Sequence, residues 1–360
     1  MPGIRWASRL FRLLLILTGC GCGDGSGSDN QQLNPGLVGK FLVMDGSAVS
    51  LMDAATGQYT GVPNTGHDYF IDKYPQATDF DVVSLPYHGD RFLVVARGET
   101  SLVSGQTFQG QSLFDLQLPF QLEGVSLSQD GRYLSLIRIL DDDFFSRQLE
   151  ILTTDGVPLG HTVVGAGRIH LHPMHWLSDY RLVYSAETSF HITSPLSAEL
   201  EYSIDLNDYA QLADPEMTIS AWAISPDETR LVFALEHEEF TWSPQQLQIY
   251  IMDLDGSNLN LLASAALGAE GPVAFNPEWS PDGKWLFAEV GNNLIYRAAK
   301  MTHLYLIPIN ESGRPFHLSD EDQERSPEVR PLWRYDYHDV EADISSRGML
   351  FDYLYWLPEN

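Results

Sequence analysis

The chain has 360 residues, of which 44% are hydrophobic and 19% are charged, so a substantial globular core is possible. Its 21 Lys and Arg residues against 49 Asp and Glu residues give a formal net charge of −28. This charge excludes nucleic acids and anionic membrane surfaces as partners, because both need basic patches. It favours cations or basic protein surfaces.

Residues 1–19 have the parts of a secretory signal. The basic residues come first: Arg5, Arg9 and Arg12. The apolar run that follows, residues 13–17, is far shorter than the ~20 residues that a membrane-spanning helix needs. The segment ends in Leu17-Thr18-Gly19-Cys20, which resembles the lipobox of bacterial lipoproteins. The resemblance implies cleavage before Cys20 and a diacylglycerol on its sulfur. An ordinary secretory signal with a chance cysteine is the alternative.

Residues 20–36 contain almost nothing to bury, so they predict a lipidated cysteine followed by a flexible linker. Gly21 follows Cys20 where, in the enterobacterial sorting rule that this resembles, Asp favours the inner membrane. The resemblance therefore points to the outer membrane, with the lipid as the only membrane contact. Cys22 is the other cysteine, and we expect an idle thiol, which leaves residues 37–360 as one folded body without an internal disulfide.

The folded body repeats a short pattern about every 50 residues, in which a large apolar residue precedes an aspartate by three positions. The sharpest copy is Trp-Ser-Pro-Asp-Gly-Lys-Trp-Leu-Phe-Ala at residues 279–288. The aspartates are Asp130, Asp179, Asp227, Asp282 and Asp336, after a degraded copy that ends at Asp90. The apolar residues are Leu127, Trp176, Ile224, Trp279 and Trp333.

Each copy predicts an apolar strand, a Ser-Pro-Asp-Gly turn and a second strand. A third strand follows, as at residues 249–253, and ends in another turn at residues 253–258. That turn briefly resembles a calcium loop, but Ser264 stands where the loop needs a bidentate Glu. We therefore interpret residues 253–258 as a connection between strands, and the repeated aspartates as turn caps.

Several such units can bury their faces only by packing radially, which predicts an all-β, six- or seven-bladed β-propeller of antiparallel four-stranded sheets. A pair of packed sheets is the alternative. Residues 40–44 and 49–53 resemble second and third strands that lack a first. Residues 331–358 offer a first strand and then a further strand at 348–356, so the two ends would close the ring by sharing a blade.

Residues 279–288 and 249–256 resemble the TolB-type (WD40-like, PD40) propeller repeat, and the resemblance covers residues 78–336. It implies a propeller. By analogy, it implies envelope lipoproteins or translocation machinery as partners. It is nearly silent about activity, because such repeats occur in binding proteins, peptidase side domains and some lyases.

The sequence contains no Gly-x-Ser-x-Gly elbow, P-loop, dinucleotide fingerprint or His-Glu-x-x-His motif. We therefore expect no catalytic residue, no cofactor and no metal ligand. One cluster invites a different interpretation: His170 and His172 share a face of a strand, with His175 nearby, and could hold a divalent metal. Candidate exposed aromatic contacts are Phe144, Phe145, Tyr335 and Tyr337.

Two functions follow from these observations. The first is an outer-membrane-anchored lipoprotein of the bacterial cell envelope that acts as a non-catalytic scaffold for an envelope protein or glycan. The alternative is a metal-dependent carbohydrate-active enzyme of the propeller-lyase type, which would use His170, His172 and His175. The identity of the ligand, the side of the membrane and the oligomeric state stay open.

Overall fold

The structure, a computed structural model, describes most of the second of two units into which contacts divide the chain, residues 1–31 and 32–360. The described residues are 36–45, 48–63, 65, 79–84, 90–97, 100–140, 143–164, 174–212, 217–237, 246–266, 277–292, 301–309, 313–318, 325–331 and 353–357. The predicted signal, Cys20 and Cys22 lie outside them. Among the described residues, no helix has the length and hydropathy that crossing a bilayer requires.

Strands dominate these ranges. In chain order they are β1 (Lys40–Asp45), β2 (Ala48–Asp53), β3 (Tyr59–Gly61), β4 (Asp79–Ser84), β5 (Arg91–Arg97), β6 (Ser101–Thr107), β7 (Ser112–Leu118), β8 (Leu122–Leu127), β9 (Tyr133–Leu140), β10 (Asp143–Thr153), β11 (Pro158–Val164), β12 (His175–Trp176), β13 (Leu182–Ala186), β14 (Ser189–Thr193), β15 (Leu200–Asp205), β16 (Met217–Ile224), β17 (Arg230–His237), β18 (Gln246–Asp253), β19 (Asn260–Ala266), β20 (Glu278–Trp279), β21 (Trp285–Asn292), β22 (Met301–Pro308), β23 (Phe316–Leu318), β24 (Arg330–Pro331) and β25 (Tyr353–Leu357). Within these described ranges, one 3-10 turn spans Leu206–Asp208.

The strands form six small sheets, which are the blades of a six-bladed β-propeller. Listed from the first strand of each blade outward, they are blade 1 (β4-β5-β6-β7), blade 2 (β8-β9-β10-β11), blade 3 (β12-β13-β14-β15), blade 4 (β16-β17-β18-β19-β23), blade 5 (β20-β21-β22-β24) and blade 6 (β25-β1-β2-β3). The all-β propeller prediction is confirmed. Of the two predicted blade numbers, six is correct and seven is wrong.

The two ends of the described chain share blade 6, as the sequence predicted. Strand β25 pairs antiparallel with β1, from Lys40 opposite Leu357 to Met44 opposite Tyr353. The prediction for residues 331–358 was wrong in detail, because Tyr353–Leu357 is the first strand of the blade and not a later one. Arg330–Pro331 belongs to blade 5 instead, where it pairs with β22 as the outermost strand.

Blade 4 departs from the predicted four antiparallel strands. Strand β23 comes from the chain segment between β22 and β24 and pairs with the outer strand β19 in parallel. Its side chains explain the detour, because Phe316 and Leu318 are buried in the apolar cluster between blades 4 and 5. The chain thus covers one outer sheet edge with its own segment.

Burial follows the wedge shape of a blade. Strand β5, a second strand, is buried at five consecutive positions, Phe92–Ala96, because blades press on both of its faces. The outer strand β7 instead alternates between exposed and partly buried residues. Six apolar clusters lie at the six contacts between consecutive blades. This radial packing excludes the alternative of two packed sheets.

Candidate functional site

The repeated Asp motif forms the turn between the first and second strands of a blade, and we call the side of the ring that carries these turns the turn face. In blade 2, Ser128 Oγ donates to Asp130 Oδ1 at 2.7 Å, and the backbone N–H of Arg132 donates to the same oxygen at 3.1 Å. Ser128 Oγ also accepts from the backbone N–H of Tyr133 at 3.0 Å. The serine and the aspartate therefore satisfy the donors of a tight turn.

Blades 4 and 5 repeat this arrangement. Ser225 Oγ donates to Asp227 at 2.6 Å, and Ser280 Oγ donates to Asp282 at 2.6 Å. Burial raises the pKa of each aspartate, but hydrogen bonds from the serine and from the turn outweigh it, so the pKa lies below its usual value. These carboxylates are ionised acceptors inside turns. The interpretation of the aspartates as turn caps is confirmed for them.

The apolar residue of each motif is a core residue. Leu127, Trp176, Ile224 and Trp279 are all buried. Asp336 and Trp333 lie outside the described residues. The segment at residues 253–258 is a turn, as predicted: Asn258 Nδ2 donates to Asp253 Oδ2 at 2.6 Å, and Gly256 takes a φ of 86°.

The blades differ in the residue type at one position of the turn, the position that follows the aspartate. Gly131 in blade 2 and Gly283 in blade 5 have φ values of 74° and 67°, in the left-handed region that favours glycine. Blade 3 places Tyr180 there with a φ of 67°, and blade 4 places Glu228 there with a φ of 57°. A side chain in this conformation costs about 1 kcal/mol or more, so each of these two residues needs a compensating contact.

Both side chains find that contact on a preceding blade. Tyr180 Oη donates to Asp130 Oδ2 at 3.1 Å and accepts from the Arg132 guanidinium at 2.9 Å. Its ring also meets the edge of Tyr133, with centroids 5.6 Å apart. Tyr180 therefore ties the turn of blade 3 to the turn of blade 2.

Glu228 reaches across two blades. Its Oε1 accepts from the backbone N–H of Ser178 at 2.8 Å and from Gln129 Nε2 at 2.7 Å, and its Oε2 accepts from Ser178 Oγ at 2.8 Å. Gln129 belongs to blade 2 and Ser178 to blade 3. We call Gln129, Ser178 and Glu228 the cross-blade bridge, because one carboxylate of blade 4 holds the turns of three consecutive blades together.

The turn face also pairs its charges. Four aspartates have a basic neighbour within ion-pair distance: Asp90 with Arg91, Asp130 with Arg132, Asp179 with Arg181 and Asp282 with Lys284. Each pair is exposed to solvent, which weakens its contribution to stability. Since the pairs cancel, the acidic excess of the chain must come from other residues.

Of the three histidines proposed as metal ligands, the structure describes one, His175. His170 and His172 lie outside the described residues. His175 is a buried residue of β12, and burial lowers its pKa to about 4, so its imidazole is neutral at physiological pH. Among the described residues, no three His, Cys, Asp or Glu side chains are grouped so as to hold a metal ion. The metal site stays a prediction.

The four candidate aromatic contacts cannot be placed. Tyr335 and Tyr337 lie outside the described residues, as do the side chains of Phe144 and Phe145.

The structure shows one carboxyl group with a shifted pKa that the sequence did not indicate. Glu278 lies on β20, the first strand of blade 5, and burial of its carboxyl group raises the pKa to about 8, although the backbone N–H of Trp356 donates to it and opposes the shift. Glu278 is therefore largely protonated at neutral pH and touches the strand that closes the ring.

No protein-family model matches this chain, and no curated protein matches it at a significant level. Solved structures do resemble it. The chain is 14% identical to hydrazine synthase of Kuenenia stuttgartiensis, with 80% of each chain covered and a TM-score of 0.44. It is 14% identical to a protein of Agrobacterium tumefaciens assigned as a TolB, with 82% of this chain and 89% of that chain covered and a TM-score of 0.43. It is 16% identical to the periplasmic gluconolactonase PpgL of Pseudomonas aeruginosa, with 77% of this chain and 80% of that chain covered and a TM-score of 0.44. At identities of 14% to 16% and TM-scores of 0.43 to 0.44, these similarities support no conclusion about function.

Proposed function

We propose that the protein is a lipid-anchored β-propeller of the bacterial outer membrane that acts as a non-catalytic scaffold for another envelope component. The cross-blade bridge is the observation that carries the proposal. It fixes the turns of three blades relative to one another at the cost of a strained backbone at Glu228. A ring held rigid in this way presents its surfaces in one preorganised arrangement, which lowers the entropic cost of binding a partner.

Two kinds of polar side chain that can carry chemistry, the motif aspartates and His175, serve architecture in the described part of the chain. The motif aspartates are occupied by their own turns, and His175 is a neutral core residue. The sequence supplies the membrane end of the proposal through Leu17-Thr18-Gly19-Cys20. Several acyl chains on Cys20 would hold the protein at the membrane essentially permanently.

Metabolic labelling of expressing cells with a radioactive fatty acid tests the anchor. We expect label on the wild-type protein and none on the Cys20→Ala variant. Cys22→Ala is the matched control, because it removes the neighbouring thiol and should keep the label. An unlabelled wild-type protein would refute the anchor.

Metal analysis of the purified, tag-free protein tests the scaffold against the lyase. The proposal predicts no stoichiometric metal. A divalent metal bound at one per chain, and lost on His170→Ala and His172→Ala, would contradict the scaffold and favour the metal-dependent enzyme. His161→Ala serves as the control, because it removes a histidine outside the candidate cluster.

A further inference from the structure

Among the described strands, the fourth strand of each of the six blades is its outer strand, and five of these six are protected against pairing with other chains. Strands β3 and β24 are only three and two residues long. Strand β7 carries Asp115, and β15 carries Glu201 and Asp205. Strand β19 is covered by β23. Short length, charge and coverage are three protections of a sheet edge, and proline and β-bulges, both of which occur near the start of β11, are others.

Strand β11 of blade 2 has none of these three protections. It is seven residues long, and residues 156–164 carry no charged side chain in a protein where 19% of residues are charged. Among the described strands, it pairs with β10 and with nothing on its outer side. Pro158 removes one backbone donor at its first position, and the residues after it keep theirs.

The same strand exposes aliphatic side chains. Leu159 and Val163 of β11 are 44% and 62% exposed, and Val157, just before the strand, is 56% exposed. Although the pairing with β10 shifts register at Leu159, exposed residues alternate with more buried ones from there onward, which places Leu159, His161 and Val163 on the exposed side of the strand. The opposite face packs toward blade 3, where the backbone of Ala198 lies close to Gly160. One open edge and one apolar face therefore coincide on β11.

Strand β23 shows, within this molecule, what such an edge accepts. It adds to β19 as an extended segment with buried aliphatic or aromatic side chains at alternate positions, Phe316 and Leu318. No segment within the described ranges does the same for β11. The net charge of −28 disfavours a second copy of this chain and favours a basic partner.

We propose that β11 is a docking edge for an extended, basic segment of another envelope protein, which adds to blade 2 as a fifth strand and packs alternate aliphatic side chains against Leu159 and Val163. The inference rests on the proposed scaffold function and names its partner surface. Main-chain pairing gives affinity in this mode of recognition, and the side chains at alternate positions give specificity.

A synthetic peptide tests the edge. It has about eight residues, the length of a strand, with valine at every second position and lysine or threonine between. We expect titration calorimetry to detect binding, and hydrogen exchange to show protection of β11 amides. Two N-methylated versions, each blocking one alternate set of N–H groups, should differ, because only one edge of a strand pairs with β11. Equal binding by both versions, or no binding by the parent peptide, would overturn the proposal.

Charge substitutions locate the site. Leu159→Lys and Val163→Lys should lower the affinity for the peptide by about tenfold or more, since a lysine on a sheet edge opposes pairing and repels a basic peptide. Leu113→Lys on β7 and Leu200→Lys on β15 are matched controls, because both replace exposed leucines on outer strands. An equal loss in the controls would overturn the assignment to β11. A wild-type dimer in sedimentation equilibrium that Leu159→Lys dissociates would overturn the choice of partner and assign the edge to a second copy.

Photo-crosslinking in cells separates this inference from the scaffold function. Benzoylphenylalanine is placed at Val163 on β11, at Leu113 on β7 and at Lys284 on the turn face, where the side chain is exposed and outside the cross-blade bridge. Adducts at position 163 that mass spectrometry maps to an extended basic segment support the docking edge. Adducts only at position 113 or 284 overturn the docking edge and leave the scaffold standing. Absence of adducts at all three positions contradicts the scaffold itself.

Discussion

Glu228 offers the sharpest test of how this ring is held together, because two effects at one residue oppose each other. Its φ of 57° costs about 1 kcal/mol relative to glycine. Its carboxylate accepts three hydrogen bonds from Gln129 and Ser178. The donors can rehydrate when the carboxylate is removed, so each bond contributes about 0.7 kcal/mol and the three contribute about 2 kcal/mol. The bridge should outweigh the strain by about 1 kcal/mol.

Two substitutions separate these contributions. Glu228→Ala removes the bridge and keeps the strain, so the free energy of unfolding should fall by about 2 kcal/mol. Glu228→Gly removes both, and the net loss should be about 1 kcal/mol. Gly283→Ala is the matched control for strain alone, because Gly283 has a φ of 67° and an added Cβ would meet nothing within 4 Å. It should cost about 1 kcal/mol.

Urea unfolding with a common m-value gives the comparison, since a change in midpoint at constant m reports stability. The expected order is wild type, then Glu228→Gly together with Gly283→Ala, then Glu228→Ala. A Glu228→Gly variant at least as stable as wild type would show that the bridge does not outweigh the strain. Equal stability of the two Glu228 variants would show that the strain is absent.

Three further predictions concern ring closure and pH. Gly39→Ala should lower the free energy of unfolding by about 3 kcal/mol or more, because the new Cβ would lie 2.2 Å from the backbone oxygen of Leu357; Gly36→Ala, with a similar positive φ and open space, should cost about 1 kcal/mol in the same denaturation assay. Glu278 binds its proton more tightly when folded, so it contributes a fall in stability as pH rises from about 4.5 to about 8, by at most about 1.4 kcal/mol per pH unit, and the stability of the wild type minus that of Glu278→Gln should follow this slope. His175 contributes with the opposite sign: its pKa falls from 6.5 to about 4 on folding, so acidification through that interval should destabilise the wild type relative to His175→Gln, as thermal unfolding of both proteins across pH would show.

The local parts of the structure followed from the sequence. Ser-Pro-Asp-Gly at residues 280–283 predicts a turn because proline, aspartate and glycine each suit one position of it, and the hydrogen bonds of Ser280 and Asp282 confirm that turn. The shared blade followed from counting, because residues 40–44 and 49–53 lacked a preceding strand. Both inferences needed only neighbours in the sequence or a missing member of a regular series.

The contacts between distant parts of the chain did not follow from the sequence. The bridge joins Gln129 to Glu228, 99 positions apart, and nothing local to either residue reveals the contact. The pKa of Glu278 depends on its packing beside the closing strand, and β23 depends on a detour out of blade 5. The metal cluster and the lipid anchor, which involve His170, His172 and Cys20, lie outside the described residues and stay predictions.

Because the blades repeat one pattern, a residue or strand that departs from the pattern can be compared with its equivalents in the other blades. Tyr180 and Glu228 look like degraded copies of a motif that has glycine at that position, yet each carries the contact that links its blade to an earlier one. Strand β11 departs in the same sense, since it lacks the length limit, charge or cover that its five counterparts have. In each case a local cost is retained, backbone strain in the turns and an open edge in blade 2. A cost retained against the pattern of five sibling units calls for a compensating contact, which the turns find inside the ring and β11 should find in a partner.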